Sequence, residues 1–273
     1  MLGTVAQIVA LTAYGNDYLR NGIIPPDFAS LNTAFQFCNK VDFSEFKKGI
    51  LSSKTKEKVV SDNPTEWFKY LRTSGCKYLR LYYESSKDES VAKDYKLAGF
   101  VGGGGVWLIE AVYFGYSQYW ANRWEVTDMN AVDRKIWVVN YATASEKQPT
   151  RNYQFDNQSV KNKLAHTLDE ITDFAYKQNF QYWAEIFEKS RDVLDSVSPE
   201  GNYYHNDLIP LDNYSLTAKQ ILFSAGTAWV FGGMGSWNDL GCSNEEDSEI
   251  YEKLSKELYS IIIEAIIAGT NTY

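Results

Sequence analysis

The sequence predicts an α+β protein in which an N-terminal antiparallel sheet of about five strands, a meander with short helices, packs with a C-terminal layer of about four helices. Two observations predict this class. Runs rich in Tyr, Trp and Val, separated by turn residues, dominate residues 1–150, whereas apolar residues recur at helical spacing through residues 151–273. No Gly- or Ser-rich linker separates the halves, so we expect residues 1–273 to form a single interlocked domain.

The N-terminal half opens with a predicted helix over Thr4–Arg20, which Gly22 is placed to end. Over Thr33–Phe43 apolar and polar residues alternate, as they do in a half-buried strand. Asn63 is suited to cap a helix with Pro64 at its first position. Four further runs predict the strands of a meander: Lys77–Glu84, Val106–Phe114, Gln118–Thr127 and Lys135–Ala142.

The C-terminal half carries the signals of four helices. Ser215 is placed to cap the third of them, which we expect to run to about Phe231. Ser243 and Glu246 form a capping box for the last helix, which Gly269 is expected to end. The apolar stripes are Val160, Leu164, Leu168, Ile171 and Ala175 in the first helix, Phe180, Trp183, Phe187 and Leu194 in the second, and Ile250, Leu254, Leu258, Ile261 and Ala265 in the last.

The chain has 273 residues and a net charge of −8, and its sequence pI is about 5.0. A nucleic-acid-binding protein needs a basic surface, so this balance argues against nucleic acid as a partner. The charge is uneven, because residues 1–150 carry 18 basic and 16 acidic side chains and residues 151–273 carry 9 and 19. Between residues 192 and 252 the acidic residues are Asp192, Asp195, Glu200, Asp207, Asp212, Asp239, Glu245, Glu246, Asp247, Glu249 and Glu252, against Lys219 alone.

The three cysteines, Cys38, Cys76 and Cys242, are widely spaced and have no neighbouring histidine, so neither a disulfide framework nor a metal site is predicted. No motif indicates a cofactor. The first sixteen residues lack the basic segment and the cleavage pattern of a signal peptide. The uncharged run Gln220–Asn238 reaches the length of a membrane span, but four glycines and several polar residues interrupt it. We therefore expect a cytoplasmic protein that does not bind membranes.

Glu110 is the first candidate for chemistry, because alternation places it on a strand face with apolar residues, where a carboxylate is costly unless paired. If the hairpin turns near residues 115–118, Glu110 lies opposite Asn122 or Arg123, and Arg80 on the neighbouring run is another partner. A buried Glu–Arg pair is the structural interpretation. The functional alternative is a pocket on the sheet in which Glu110 acts as an acid or base and aromatic rings bind a sugar.

Hydrolysis at Glu110 would require a second carboxylate about 5–10 Å away. Glu125 is available, but alternation from Asn122, the favoured partner of Glu110, places it on the opposite face. His205 is the other candidate catalytic residue, because residues 203–207 put an imidazole, a carboxylate and two phenols on one loop. A loop held in place by hydrogen bonds would have the same composition. His166 is expected to face solvent on a helix.

The aromatic residues outside the periodic pattern fall inside the acidic stretch, which favours a protein without enzymatic activity that binds a basic protein partner. Acidic proteins that neutralise basic toxins, such as the immunity proteins of bacterial competition, work in this way. The alternatives are a solvated acidic face, a carbohydrate-binding or hydrolytic pocket around Glu110, and a subunit of a homo-oligomer. The expected partner-binding residues are Tyr203, Tyr204, Asp207, Asp212, Tyr214, Trp237, Asp239, Glu245, Glu246, Asp247 and Glu249.

Overall fold

The computed structural model describes residues 1–25, 27–48, 55–86, 94–98, 104–144 and 147–273. Within these residues eight α-helices and six β-strands confirm the predicted α+β class. The helices are α1 (Gly3–Asn21), α2 (Phe28–Leu31), α3 (Pro64–Thr73), α4 (Asp94–Leu97), α5 (Asn157–Lys177), α6 (Gln181–Asp195), α7 (Leu216–Thr227) and α8 (Glu245–Asn271). The strands are β1 (Cys38–Lys48), β2 (Thr55–Ser61), β3 (Tyr78–Glu84), β4 (Val106–Val112), β5 (Ser117–Val126) and β6 (Trp137–Thr143).

The six strands form a sheet in the order β2-β1-β6-β5-β4-β3. The last four strands make the predicted antiparallel meander. However, β1 pairs with β6 in parallel, so the sheet is mixed and the expectation of a purely antiparallel sheet is wrong. The cause is the route of the chain. After the β1–β2 hairpin and α3 the chain enters the far edge at β3, and the meander then returns to β1.

Two strands differ from the sequence prediction. β2 is not predicted, because its residues 56–58 are charged and break the apolar alternation of a strand. Charged side chains are common in strands at a sheet edge. The strand expected over Thr33–Phe43 begins later, at Cys38. The preceding residues form a 3₁₀ turn over Thr33–Phe35, which the side chain of Asn32 caps by accepting from a backbone N–H at 3.0 Å.

The first helix packs against the sheet face that carries the aromatic core. As predicted, α1 ends at Gly22, which has the left-handed φ of 73° that favours glycine. The hydroxyl of Tyr141 on β6 donates to the side-chain oxygen of Gln7 on α1 at 3.1 Å. On the same face the rings of Phe43 and Trp67 stack with centroids 4.3 Å apart. The core therefore joins α1 and α3 to the middle of the sheet.

The helix caps test the local sequence signals directly. Asn63 caps α3 and Ser215 caps α7, each by accepting a backbone N–H with its side-chain oxygen, as predicted. The expected capping box of Ser243 and Glu246 is wrong, because Asn244 is the residue that caps α8. Both residues are suited to a cap, and the asparagine side chain accepts a backbone N–H of the first turn at 2.8 Å.

Helices α5 to α8 form the C-terminal layer, in which each helix packs on the next and α8 also packs on α5. The predicted third helix ends at Thr227, before Phe231. The last helix continues beyond Gly269, because this glycine permits a close approach between helices rather than ending α8. A Cβ at Gly269 would lie 3.0 Å from the carbonyl oxygen of Ala218 on α7. All five residues of the predicted α5 stripe are buried: Val160, Leu164, Leu168, Ile171 and Ala175.

The edge strand β3 meets the helices, and two asparagine side chains pair with its open backbone groups. Asn16 of α1 accepts from the N–H of Leu79 at 2.7 Å and donates to its carbonyl oxygen at 2.9 Å. Asn271, the last residue of α8, makes the same two bonds with Leu81, both at 2.8 Å. Each amide replaces the missing neighbouring strand at one residue.

Asn16→Leu is expected to lower the free energy of unfolding by about 2–4 kcal/mol, because it leaves two buried backbone groups of Leu79 without partners. Urea unfolding followed by tryptophan fluorescence measures the change. Asn162→Leu on the exposed face of α5 is the matched control and should change stability by less than about 0.5 kcal/mol. Equal losses in the two variants would contradict a special role for Asn16.

Candidate functional site

The expected Glu–Arg pair is present on the sheet face turned away from α1. Arg80 on β3 donates from Nε to Oε2 of Glu110 on β4 at 2.9 Å and from Nη2 to Oε1 at 2.8 Å. Glu110 is fully buried and Arg80 is 7% exposed. The two residues are directly opposite each other in the β3–β4 ladder, so the sheet itself holds this bidentate geometry.

The register between β4 and β5 differs from the expected one. Glu110 lies opposite Tyr119, and not opposite Asn122 or Arg123. The hairpin turns earlier than expected, at Gly115, which has a left-handed φ of 82°. A change in the position of the turn shifts every cross-strand partner along the strand.

The corrected register also changes the sheet face on which Glu125 lies. Counting from Tyr119, Glu125 is on the same face as Glu110, so the expectation that it lies on the opposite face is wrong. It nevertheless lies six residues along the strand from Tyr119, or about 20 Å at the rise of a strand. Paired catalytic carboxylates are about 5–10 Å apart. Glu110 and Glu125 therefore cannot form the carboxylate pair of a glycosidase.

Tyrosine rings surround the Arg80–Glu110 pair. The guanidinium carbon of Arg80 lies 4.7 Å from the ring centroid of Tyr153 and 5.5 Å from that of Tyr78. The rings of Tyr82 and Tyr119 meet edge to face at 5.1 Å. Burial, and then the negative charge of the neighbouring carboxylate, raise the pKa of Tyr119. The hydroxyl of this tyrosine therefore stays protonated.

A cavity of about 480 Å³ opens over the ion pair. One wall is β3, another is the chain from Tyr153 to Phe155, and the third is the C-terminal half of α8. Glu110 is thus held in a tight ion pair and also lines a cavity large enough for a small molecule. Neither Tyr153 nor the α8 wall was indicated by a sequence motif, because both are brought to Glu110 only by the tertiary fold.

His205 belongs to a hydrogen-bonded cluster that fixes its loop. The hydroxyl of Thr33 donates to the carboxylate of Asp207, which also accepts the backbone N–H of Thr33 at 2.8 Å. Nδ1 of His205 lies 2.9 Å from the same hydroxyl oxygen and must donate to it, because the hydroxyl proton is directed at Asp207. The imidazole therefore does not activate Thr33 as a nucleophile. Burial lowers the pKa of His205 to about 4, so the ring is neutral near pH 7.

Two of the four aromatic residues expected at a partner surface are buried, and a third is half-buried. Trp237 is fully buried, and Tyr214 is buried with its hydroxyl donating to the carbonyl of Thr270 at 3.1 Å. Tyr203 is half-buried and packs against α7. Tyr204 is 61% exposed. The expectation that these aromatic residues share an exposed surface is therefore wrong for Trp237 and Tyr214.

The acidic stretch does not form one continuous surface. Asp212 is next to Tyr214, whose bond to Thr270 places it beside the last turns of α8. Glu245 begins the same helix, about 40 Å away at 1.5 Å per residue. The carboxylate of Asp207 is already bound to Thr33 in the His205 cluster. The length of α8 thus separates residues that are close in sequence.

The start of α8 retains uncompensated negative charge. Glu245, Glu246 and Glu249 are exposed and have no cationic partner among the residues that the structure describes. Asp247, in contrast, is bound by Lys177 of α5 at 3.1 Å. Asp239, in the turn before α8, is exposed and accepts a backbone N–H from its own turn. Negative side chains are also stabilised by the helix dipole at this position.

Tryptophan side chains line another cavity, of about 520 Å³, which the sequence patterns do not indicate. Trp107, Trp124 and Trp137 come from the sheet, and Trp229 follows α7. The rings of Trp124 and Trp137 meet edge to face at 5.7 Å. In the sequence these residues have the spacing of ordinary strand positions, so nothing local separates them from the core.

No protein-family model, curated protein or solved structure matches this chain. Within the part of the chain that the structure describes, no helix combines the length and apolar character needed to cross a bilayer. The same described residues contain no group of three or more His, Cys, Asp or Glu side chains placed to hold a metal ion. The candidate sites therefore rest on the geometry of this chain alone.

Breaking the Arg80–Glu110 pair from one side is expected to be costly. Arg80→Met and Glu110→Leu should each lower the free energy of unfolding by about 3–5 kcal/mol, because each leaves a buried charge without its partner. The double variant should lose less than the sum of the two, since no charge remains buried. Urea unfolding of all four proteins gives the coupling energy. A strictly additive double variant would contradict the pairing.

The stability of the protein should fall as the pH is lowered from about 6.5 towards 4. The unfolded His205 takes up a proton near its ordinary pKa of 6.5, whereas the buried ring resists protonation until about pH 4. Above pH 6.5 this residue contributes no pH dependence. Thermal unfolding between pH 4 and 7.5 should show a shallower loss for His205→Gln than for the wild type. His166→Gln is the control, because its side chain is 74% exposed, and it should retain the wild-type slope.

Proposed function

We propose that this chain is a non-enzymatic interaction protein that binds a basic protein partner through the start of α8. The observation that supports the proposal is the set of three exposed carboxylates, Glu245, Glu246 and Glu249, which have no cationic partner among the described residues. Several other carboxylates of the helical layer are paired, such as Asp247 with Lys177. Three carboxylates available to a partner therefore lie within one turn and a half at this end of α8.

The charge of this surface supports a basic partner for a kinetic reason. Clustered carboxylates attract a basic partner over a Debye length and raise the association rate, mainly at low salt. Met234, in the loop between α7 and α8 that also carries Asp239, is fully exposed and offers an apolar contact. Methionine side chains adapt to different surfaces, so Met234 can contribute a flexible apolar contact beside the charges.

The physical analogy is with immunity proteins, in which an acidic surface neutralises a basic toxin. Both depend on charge to guide a fast encounter and on a small number of side chains to hold the complex. Tyr204, the exposed member of the aromatic set, accepts a hydrogen bond from the side chain of Gln36 and is not part of the proposed interface. In this proposal the start of α8, with Asp239 and Met234, forms the interface.

The test begins with affinity capture from the native host and identification of the captured protein by mass spectrometry. Binding of that purified partner is then measured for the wild type and for a variant with Glu245→Lys, Glu246→Lys and Glu249→Lys. We expect a basic partner, an association rate that falls as salt is raised, and a loss of affinity of at least tenfold in the variant, because charge reversal turns attraction into repulsion.

A control with the same change in charge carries Glu125→Lys, Asp128→Lys and Asp133→Lys, all exposed in the region of β5 and the loop after it. Its affinity should stay within about twofold of the wild type. Circular dichroism separates a loss of binding from a loss of α8. Equal affinities for the wild type and the α8 variant, an acidic partner, or capture of another copy of the chain alone would each overturn the proposal.

A further inference from the structure

The cavity over Arg80 and Glu110 has a polar floor with balanced charge. Glu110 takes up both Nε and Nη2 of Arg80, so the two buried charges compensate each other. The remaining nitrogen, Nη1, has no acceptor among the described residues and is not among the buried unpaired atoms. An arginine carries five N–H donors. The floor therefore offers N–H donors to a ligand without offering it a net charge.

The walls of this cavity offer flat and apolar surfaces. The rings of Tyr153 and Phe155 lie nearly parallel, at 14° with centroids 6.3 Å apart. Across the cavity, α8 contributes the aliphatic side chains of Ile263 and Ile267 and the hydroxyl of Ser260. A ligand that fits these surfaces has a compact ring with an apolar face and hydroxyl groups at its edge.

We propose that this cavity binds a neutral hydroxylated ring, namely a single pyranose sugar unit. The ring face packs against Tyr153, and its hydroxyl groups pair with Arg80 Nη1 and Ser260. A charged ligand is disfavoured, because Arg80 is neutralised by Glu110, and Glu264 in the α8 wall is paired with Lys163. An added charge would lose its hydration without a free counter-charge. The site is one of binding and not of hydrolysis, since both oxygens of Glu110 are held by Arg80 and Glu125 is remote.

The cavity is independent of the acidic start of α8. Its α8 residues, such as Ile263 and Ile267, lie in the second half of that helix, about 27 and 33 Å from Glu245 at 1.5 Å per residue. The failure of either proposal therefore leaves the other standing.

The experiment is saturation-transfer NMR with the full chain and four probes: glucose, galactose, mannose and N-acetylglucosamine, each at millimolar concentration. We expect transfer to at least one sugar. Tyr153→Ala should reduce it at least fivefold by removing the ring face, and Ser260→Trp should abolish it by filling the cavity. Both residues are exposed to solvent. Because Tyr153→Ala also removes the ring packed over Arg80, circular dichroism has to show that this variant keeps its fold.

The control is Tyr182→Ala, which removes a tyrosine that is 67% exposed on α6, far along the chain from the cavity walls. It should leave the transfer within about 20% of the wild-type signal, because substitution of an exposed side chain away from the cavity has little effect on the fold. No transfer to any of the four sugars would overturn the proposal. So would transfer that persists in both cavity variants, or displacement of the sugar by inorganic phosphate, which would indicate an anion site.

Discussion

An open strand edge beside a layer of helices has to find hydrogen-bond partners without a further strand, and β3 finds them in two asparagine side chains. Asn16 and Asn271 come from the first and the last long helices of the chain. The edge of β3 therefore links α1 to α8. The position of α8 then sets that of α5 and α7, which pack on it. The same end of α8 forms a wall of the cavity over Arg80 and Glu110. The relation between sheet, helical layer and cavity thus depends on a few amide hydrogen bonds at β3.

The parts of the fold that could be predicted are those for which the information is local. Asn63 and Ser215 could be recognised as caps because a cap involves only the next three residues. The buried stripe of α5 could be recognised because burial repeats with the period of the helix. The parallel pairing of β1 with β6 could not be predicted, since it is decided by where the chain re-enters the sheet after α3. β2 could not be found by apolar periodicity because its charges suit an edge.

The candidate sites also contain some residues that the sequence indicates and others that only the fold brings together. The Arg80–Glu110 pair follows from the cost of a lone carboxylate on an apolar face, which a sequence shows. The ring of Tyr153 that covers the pair has no such signal, because it lies on a segment without periodicity. For the acidic residues, proximity in sequence was misleading, since a helix as long as α8 carries its two ends to different parts of the surface. Trp237 has the sequence context of a turn but the environment of a core residue.

The parallel pairing of β1 and β6 affects how the protein folds during its synthesis on the ribosome. β1 lacks its second neighbour until β6 has been synthesised, about 75 residues after β2 ends. During that interval the β1–β2 hairpin has an unpaired backbone edge, which can associate with strands of other nascent chains. The rate of elongation between β2 and β6 therefore sets how long this edge is exposed. Yield of folded protein in a heterologous host should depend on codon use in that interval more than on codon use in the helical half.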